Sequence, residues 1–197
     1  MIQQIAELLR DEIDDLVFIE RTAGLVRALP IKVPAEGGGT VTKVMPVAVN
    51  NEVPCEAEEM MYLIPDASLM SIVFFEDGGT TIESVDTWYL HCRSTVRMVA
   101  WFNLKMINPD YEDATLLMAH LVSAMPKYID NSDFITGIVV FPQSELPKET
   151  VYSNYDLDLA ENMYFAFPYD YGAFEFEVVY RVPKNCLDEI IIDPDVC

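Results

Sequence analysis

The side chains best suited to acid–base and nucleophilic catalysis are scarce in this sequence. A serine or cysteine nucleophile of the common hydrolase type needs a histidine as its base, and the chain contains two histidines, His91 and His120. Both have apolar neighbours, and neither lies in a motif such as GxSxG. We interpret them as structural or surface histidines. The sequence therefore predicts no catalytic residues and a protein that is not an enzyme.

Paired carboxylates are abundant, because 33 of the 197 residues are acidic. Asp156 and Asp158 would share one face of a strand, where two carboxylates could bind a divalent cation. The sequence contains no EF-hand loop, however, and no acid-x-Lys motif of the kind found in metal-dependent nucleases. A solvated acidic edge is the simpler interpretation, so the sequence predicts no metal site. The other close pairs are Asp14-Asp15, Asp188-Glu189 and Asp193 with Asp195.

The glycine and cysteine patterns predict no cofactor. Three consecutive glycines at residues 37–39 precede a segment with strand character, whereas a phosphate-binding loop needs a following lysine or helix. The four cysteines form no CxxC pair, which indicates free thiols in a reducing cytoplasm. They are Cys55, Cys92, Cys186 and Cys197.

The net charge of −21 restricts the partners that the protein can have. A surface this acidic repels phosphate backbones and anionic lipid surfaces, so sequence-independent binding to either is disfavoured. Solubility is the simplest consequence. A basic partner, or a channel through which nucleic acid slides without sticking, is the more specific interpretation. The sequence shows no signal peptide and no apolar stretch of about 18 residues, so it predicts no membrane association.

Periodicity predicts an α+β fold that consists mainly of an antiparallel sheet with long loops. Apolar residues recur with helical spacing at residues 2–17, and a hairpin with Gly24 in its turn is predicted at residues 17–29. Residues 93–106 alternate between apolar and polar side chains, as in an antiparallel strand, and lead into a helix near residues 111–124 that Asp110 caps. Further strands are predicted at residues 44–49, 69–75, 134–141 and 174–182, with turns at residues 77–79 and 169–172.

The length favours a single domain. We place this α+β domain at residues 1–185, with loop insertions near residues 34–66 and 142–170. The remaining residues, 186–197, are predicted to form a C-terminal tail.

Charged residues of both signs are predicted on the polar faces of the two strongest strands. They are Arg93, Arg97 and Lys105 on the first strand and Glu175, Glu177 and Arg181 on the last. Opposite charges on two strands favour ion pairing. The pairs are internal if the strands are neighbours in one chain, and they specify assembly if the strands belong to adjacent subunits.

The tail contains a small apolar patch between acidic residues, which could dock on the body or on a neighbouring subunit. It consists of Ile190, Ile191 and Ile192. Together with the six charged residues, this patch completes the candidate interface.

The order of the predicted elements resembles that of small α+β ring-forming proteins in the neck of tailed bacteriophages, the tail-terminator and tail-completion type. The resemblance covers about a third of the chain and includes no signature motif. It rests on the helix at 2–17, the hairpin at 17–29, the strand at 93–106 that feeds the helix at 111–124, and the closing strand at 174–182. It implies a structural virion protein that forms a homo-oligomeric ring. Such a ring connects head or connector to tail, contacts other neck and tail proteins, and lets DNA pass without specific binding.

Two features of the sequence agree with such a ring. Its acidic charge would give a lumen that does not hold DNA, and its Met-rich and Tyr-rich segments suit protein contacts. Three other classes remain open, one of which is an enzyme with an unrecognised site. An acidic DNA-mimic inhibitor would place its acids at regular spacing on an extended surface, whereas here they are dispersed among aromatic residues. A non-viral assembly or adaptor protein would share the same physical properties.

Overall fold

The computed structural model describes residues 1–35, 37–48, 61–129, 135–157 and 163–184, and these form a mixed sheet with short helices. The helices are α1 (Ile2–Asp11), α2 (Leu104–Ile107), α3 (Thr115–Ala124) and α4 (Lys148–Val151). The strands are β1 (Arg21–Pro34), β2 (Thr40–Ala48), β3 (Met61–Tyr62), β4 (Ser71–Val85), β5 (Tyr89–Asn103), β6 (Tyr128–Ile129), β7 (Thr136–Glu145) and β8 (Tyr169–Pro183).

These eight strands form one sheet in the order β3-β2-β1-β4-β5-β8-β7-β6. All neighbouring strands are antiparallel except β1 and β4, which are parallel. The prediction of an α+β fold with a mainly antiparallel sheet and an N-terminal helix is confirmed.

The alternating pattern of β5 builds the core on one face of the sheet. Val96, Met98 and Phe102 are fully buried on this face and pack in one cluster with α1 and α3. Ile5 of α1 and Leu121 of α3 are buried in the same cluster. The hydrophobic stripes of the two helices therefore cover this face, as expected for helices that pack on a sheet.

The opposite face carries a second core, which is rich in aromatic residues. Trp101 of β5 and Phe74 of β4 are fully buried there. Tyr152 and Tyr155, from the segment that precedes β8, pack against Phe74, and Tyr164 packs against Trp101. The indole Nε1 of Trp101 donates a hydrogen bond of 2.7 Å to the backbone oxygen of Tyr164. Both faces of β5 are thus covered in its inner half, at residues 98–102, and this explains why the strand is apolar on both faces there.

The predicted hairpin at residues 17–29 is wrong, because residues 21–34 form the single strand β1. Gly24 does not lie in a turn. A Cβ atom at this position would lie 2.9 Å from Cγ of Glu7, so the glycine allows α1 to pack closely on β1. Close helix–strand approach and a tight turn both favour glycine, and the sequence pattern does not separate them.

Two other predicted turns are also wrong. β4 continues through residues 77–79, where its register opposite β5 shifts between Asp77 and Thr80 in a β-bulge. Residues 169–172 already belong to β8, where a Cβ atom at Gly172 would lie 3.3 Å from Sδ of Met118. Each glycine is thus explained by a bulge or by a close approach of α3.

Helix boundaries differ from the prediction at three points. α1 ends at Asp11 instead of residue 17, and α3 begins at Thr115 instead of residue 111. Asp110 is not the cap; Asp170 of β8 accepts a hydrogen bond of 2.8 Å from the backbone N–H of Ala114. β5 ends at Asn103, and α2 replaces its predicted continuation. The N–H of Thr115, the first residue of α3, donates a hydrogen bond of 2.8 Å to the nearby Asp113. The Asp170 bond joins residues 56 positions apart, so local sequence could not reveal it.

The predicted loop near 34–66 contains strand β2, and the one near 142–170 contains the end of β7, α4 and the start of β8. The C-terminal tail at 186–197 lies outside the described residues. So do Phe134, at the start of the strand predicted at 134–141, and the second half of the 34–66 segment up to residue 60.

Substitution of Gly78 by alanine tests the bulge in β4. The new Cβ would lie 2.8 Å from Cγ2 and 3.1 Å from the backbone oxygen of Thr95, so overpacking should lower the free energy of unfolding by about 1–3 kcal/mol. Chemical denaturation measures the change. Gly37→Ala is the control, since a Cβ atom there would have no other atom within 4 Å and the stability should stay the same. Equal stability of both variants and the parent would contradict the described packing of the bulge.

Candidate assembly surface

Seven charged residues lie on one face of the central strands β4, β5 and β8, from the middle of each strand towards the β4–β5 turn, a region which we call the outer half. We call this surface the charge ladder. They are Glu76 and Glu83 of β4, Arg93 and Arg97 of β5, and Glu175, Glu177 and Arg181 of β8. Three positive charges face four negative charges. The ladder is therefore nearly neutral in a chain whose net charge is −21.

Arg93 connects the three strands of the ladder. Its Nε donates to Oε1 of Glu83 at 2.5 Å, and its Nη1 donates to Oε1 of Glu177. These two carboxylates, Glu83 first, raise the pKa of the Arg93 guanidinium. The three side chains are 29–40 % exposed, so solvent screens the pairs and their contribution to stability is small.

Arg97 forms a more buried network further in along the same face of β5. Its Nη1 donates to Glu76 at 3.2 Å and its Nη2 to Glu175 at 3.4 Å, while the Tyr155 hydroxyl donates to Glu76 at 2.5 Å. Burial raises the pKa of Glu76, although the Tyr155 hydrogen bond and the Arg97 charge act in the opposite direction. Burial and the Glu76 carboxylate raise the pKa of Tyr155. The network fixes residues 152–155, which we call the aromatic segment, to the sheet.

A cavity of about 260 Å³ lies beside this network, where β1 parts from β4. β1 pairs with β4 only as far as Leu25 opposite Phe75, and Val26 and Ala28 of β1 then line the cavity. The remaining lining residues belong to β4, β5 and the aromatic segment: Glu76, Asp77, Gly78, Arg97, Asn154 and Tyr155. At this cavity the strand pairs β4–β5 and β1–β2 diverge, and we call this place the fork.

The first branch of the fork is the tip of the β4–β5 hairpin. Asp86 accepts hydrogen bonds from the His91 ring at 2.9 Å and from the backbone N–H groups of Trp88 and Tyr89 at 2.7 Å. These contacts hold the pKa of Asp86 at about 2, with the His91 hydrogen bond as the largest cause. Trp88 is 74 % exposed at this hydrogen-bonded tip. Such a residue is suited to a protein contact.

The second branch is the β1–β2 arm, which we define as residues 27–45. Arg27, Lys32 and Lys43 lie on it, and its described residues include no acid; Glu36, the one acid in this range of the sequence, lies outside them. Arg27 and Lys32 are exposed and form no ion pair with any described residue. The arm is therefore a basic element on a strongly acidic chain.

The prolines of the arm protect its free edge. The backbone N–H and oxygen of Val44 both bond to Asp156, at 2.8 Å each, so Val44 points its backbone away from β1. Pro30 is the antiparallel partner of Val44, so this pair forms no hydrogen bonds between β1 and β2. Because hydrogen-bonded and non-bonded pairs alternate along the ladder, Pro34, four residues later, also occupies a non-bonded position. Both ring nitrogens therefore lie on the edge of β1 that faces away from β2, which we call its outer edge. This edge lacks two donors and resists strand addition.

The structure places the predicted interface residues in three groups. β5 and β8 are neighbours in one chain, so the ion pairs of Arg93, Arg97, Glu175 and Glu177 are internal, as in the first of the two alternatives. Arg181, on the same surface, lies 5.3 Å from the Tyr89 ring centroid. Whether the ladder also contacts another subunit stays a prediction.

Lys105 lies apart from the ladder, because α2 begins at Leu104 and turns it away from the face of β5. Its ammonium donates to the backbone oxygens of Pro109 and Tyr111 and lies 5.0 Å from the Phe167 ring centroid. The prediction that it shares a face with Arg93 and Arg97 is wrong. Ile190, Ile191 and Ile192 lie outside the described residues.

Sequence reasoning missed Glu76, Tyr155 and the β1–β2 arm. Glu76 directly follows an apolar strand segment, and an acid at the end of such a segment is a weak signal for a buried carboxylate. Tyr155 reaches it from 79 residues away, which no local pattern can indicate. The basic charge of the arm was visible in the sequence, but its exposure depends on β1 leaving β4.

The remaining candidates for chemistry are separate from one another. The His120 ring packs edge-on against Phe18, and Asp156 is occupied by the Val44 backbone. Across the described part of the chain, no group of three or more His, Cys, Asp or Glu side chains could hold a metal ion. No helix there is long and apolar enough to cross a membrane.

Comparison with protein-family models, with curated proteins and with solved structures finds no match to this chain. The charge ladder, the fork and the basic arm therefore have to be interpreted from their own geometry.

Substitution of Arg97 by alanine tests the buried part of the ladder. It would leave Glu76 without its cation, so we expect the free energy of unfolding at pH 7 to fall by about 2 kcal/mol. Burial raises the pKa of Glu76 in the folded protein, and a protonated Glu76 needs no cation. The loss should therefore shrink as the pH falls towards 4.5, where Glu76 takes up its proton more readily in the folded than in the unfolded chain.

Denaturant titrations of the parent and both arginine variants at the two pH values measure this effect. Arg93→Ala is the matched control, because its partners are more exposed and its loss should be clearly smaller. Equal losses for the two variants, or a loss for Arg97→Ala that grows at low pH, would contradict the assigned network.

Proposed function

We propose that this protein is a structural subunit that works by assembly, as a homo-oligomeric ring in the neck or tail of a tailed bacteriophage. In this role it connects head or connector to tail, contacts the neighbouring neck and tail proteins, and lets DNA pass without binding it specifically. Its place of action would be the virion, after assembly in the host cytoplasm.

The observation that carries the proposal is the fork in the sheet. β5 keeps Cys92, Ser94 and Val96 buried in its outer part, but β1 and β4 extend beyond the fork with most of their outer residues exposed. Burial in the folded chain does not account for the apolar side chains on these extensions, which include Trp88 at 74 % and Val85 at 58 % exposure. Contact with other subunits would account for them, because exposed aromatic and apolar groups on rigid elements are typical of interfaces.

The distribution of charge also supports assembly over binding of nucleic acid. Identical chains of −21 repel each other unless they meet through neutral or basic surfaces. The charge ladder and the β1–β2 arm are two such surfaces. The remaining acidic surface would repel the phosphates of passing DNA, as a conduit requires.

Light scattering on the purified protein, over a range of protein and salt concentrations, tests the proposal. We expect a closed oligomer whose mass is a fixed multiple of 22.3 kDa and does not grow further with concentration. Electron microscopy of negatively stained particles should show an annulus.

Two results would contradict the ring. One is a mass of 22.3 kDa at every concentration; tight binding to a basic DNA-binding protein would then identify the protein as a DNA mimic. The other is a mass that rises continuously with concentration, which indicates open chains instead of a closed ring.

A further inference from the structure

The charge of the protein is unevenly divided between the β1–β2 arm and the rest of the chain. Residues 27–45 contain three basic residues and one acid, a net charge of +2, so the rest of the chain carries −23. A quarter of the 12 basic residues thus lie in this short segment. Four of the nine basic residues elsewhere form ion pairs with described residues of the chain, namely Arg10, Arg93, Arg97 and Lys148.

We propose that the β1–β2 arm docks on the acidic body of a second copy of this chain. This inference rests on the proposed function and adds the contact through which the ring closes. Charge complementarity carries it: Arg27 and Lys32 are exposed without a described ionic partner, and every other copy presents a body of −23. Steering between opposite charges speeds association and selects the partner surface.

The arm offers apolar contacts beside its charges. Val41 is 42 % exposed near the tip, and Pro30 and Pro34 are exposed on the strand opposite. Prolines and short apolar side chains on a paired hairpin lose little conformational entropy on docking, because the strand already fixes the backbone. The contact therefore combines an ionic and a small apolar component.

Strand addition is not the mode of contact. The outer edge of β1 lacks the N–H groups of Pro30 and Pro34, and the exposed edge of β4 is interrupted by bulges between Asp77 and Thr80 and between Ile82 and Ser84. Both devices prevent edge pairing. The side chains of the arm, and not its backbone, make the contact.

In the proposed ring the contact is heterologous. Two arms brought together around a twofold axis would place Arg27 and Lys32 of one copy against the same charges of the other. An arm on an acidic body avoids this repulsion, and each copy then uses two different surfaces. Heterologous contacts generate rings when the rotation closes. The uneven charge therefore disfavours arm-to-arm contact, and the measured mass distinguishes a ring from a dimer in which two copies exchange arms.

Charge reversal on the arm tests the inference, with the mass and the self-association constant measured by analytical ultracentrifugation on the full chain. Lys32→Glu and Arg27→Glu should each weaken self-association by about tenfold at low salt, because an attraction becomes a repulsion. The difference from the parent should shrink above about 0.5 M salt, where screening is strong. Lys127→Glu is the matched control, since Lys127 is also exposed and has no described ionic partner, but lies outside the arm. It should leave self-association unchanged.

Carbodiimide coupling gives a second readout that does not depend on a variant. In a mixture of light and heavy isotope-labelled chains, Lys32 should form zero-length links to Asp or Glu residues of the other copy. Equal weakening by Lys32→Glu and Lys127→Glu, or links of Lys32 only within one copy, would overturn the arm contact.

The outcomes separate this inference from the proposed function. A closed ring that persists in both arm variants overturns the arm contact and leaves the ring proposal standing. Dimers or open chains that dissociate in the arm variants support the arm contact and overturn the ring. A parent protein that remains monomeric at all concentrations overturns both.

Discussion

The structure depends on the pairing of three 15-residue strands, β4, β5 and β8, along almost their full length. Their inner halves are covered on both faces, by α1 and α3 on one side and by the aromatic segment around Tyr152 and Tyr155 on the other. Burial of these apolar side chains provides most of the driving force for folding. The aromatic layer covers only the inner halves, so the outer halves carry the charge ladder on that face. On the other face the first core continues to Cys92 and Val96 of β5 and Tyr180 of β8, whereas β4 beyond Glu76 is exposed and leads to the hairpin tip.

The two ends of the same strands thus have different chemistry. In β5, Trp101 is fully buried, whereas Arg93 on the same face is 40 % exposed and paired with two carboxylates. Arg97 and Glu76 lie at the boundary, where a buried ionic network replaces aromatic packing. Such a network leaves fewer alternative arrangements than apolar packing does, because its donors and acceptors must match. It lies beside the fork, at which β1 leaves the sheet and carries the basic arm away from the acidic body.

The sequence pattern predicts the elements whose signal is local and repeated. The alternation in β5 and β8, and the apolar stripes of α1 and α3, identify the fold class and the polar face on which Arg93, Arg97, Glu175 and Glu177 meet. Predictions that depend on single glycines fail. Gly24, Gly78 and Gly172 suggest turns, but they lie in strands, at two close approaches and a bulge. The Glu76–Tyr155 bond and the bond of Asp170 to the backbone of Ala114 join residues more than 50 positions apart, so no local pattern contains them.

In the proposed assembly, each acidic chain offers its basic arm to the body of the next. An electron cryomicroscopy reconstruction of the assembled protein would test this most directly. A ring in which every β1–β2 arm lies on the acidic surface of the adjacent copy, with Arg27 and Lys32 close to its carboxylates, is the predicted result. A ring whose arms point into solvent, with subunits joined only through other surfaces, would contradict it.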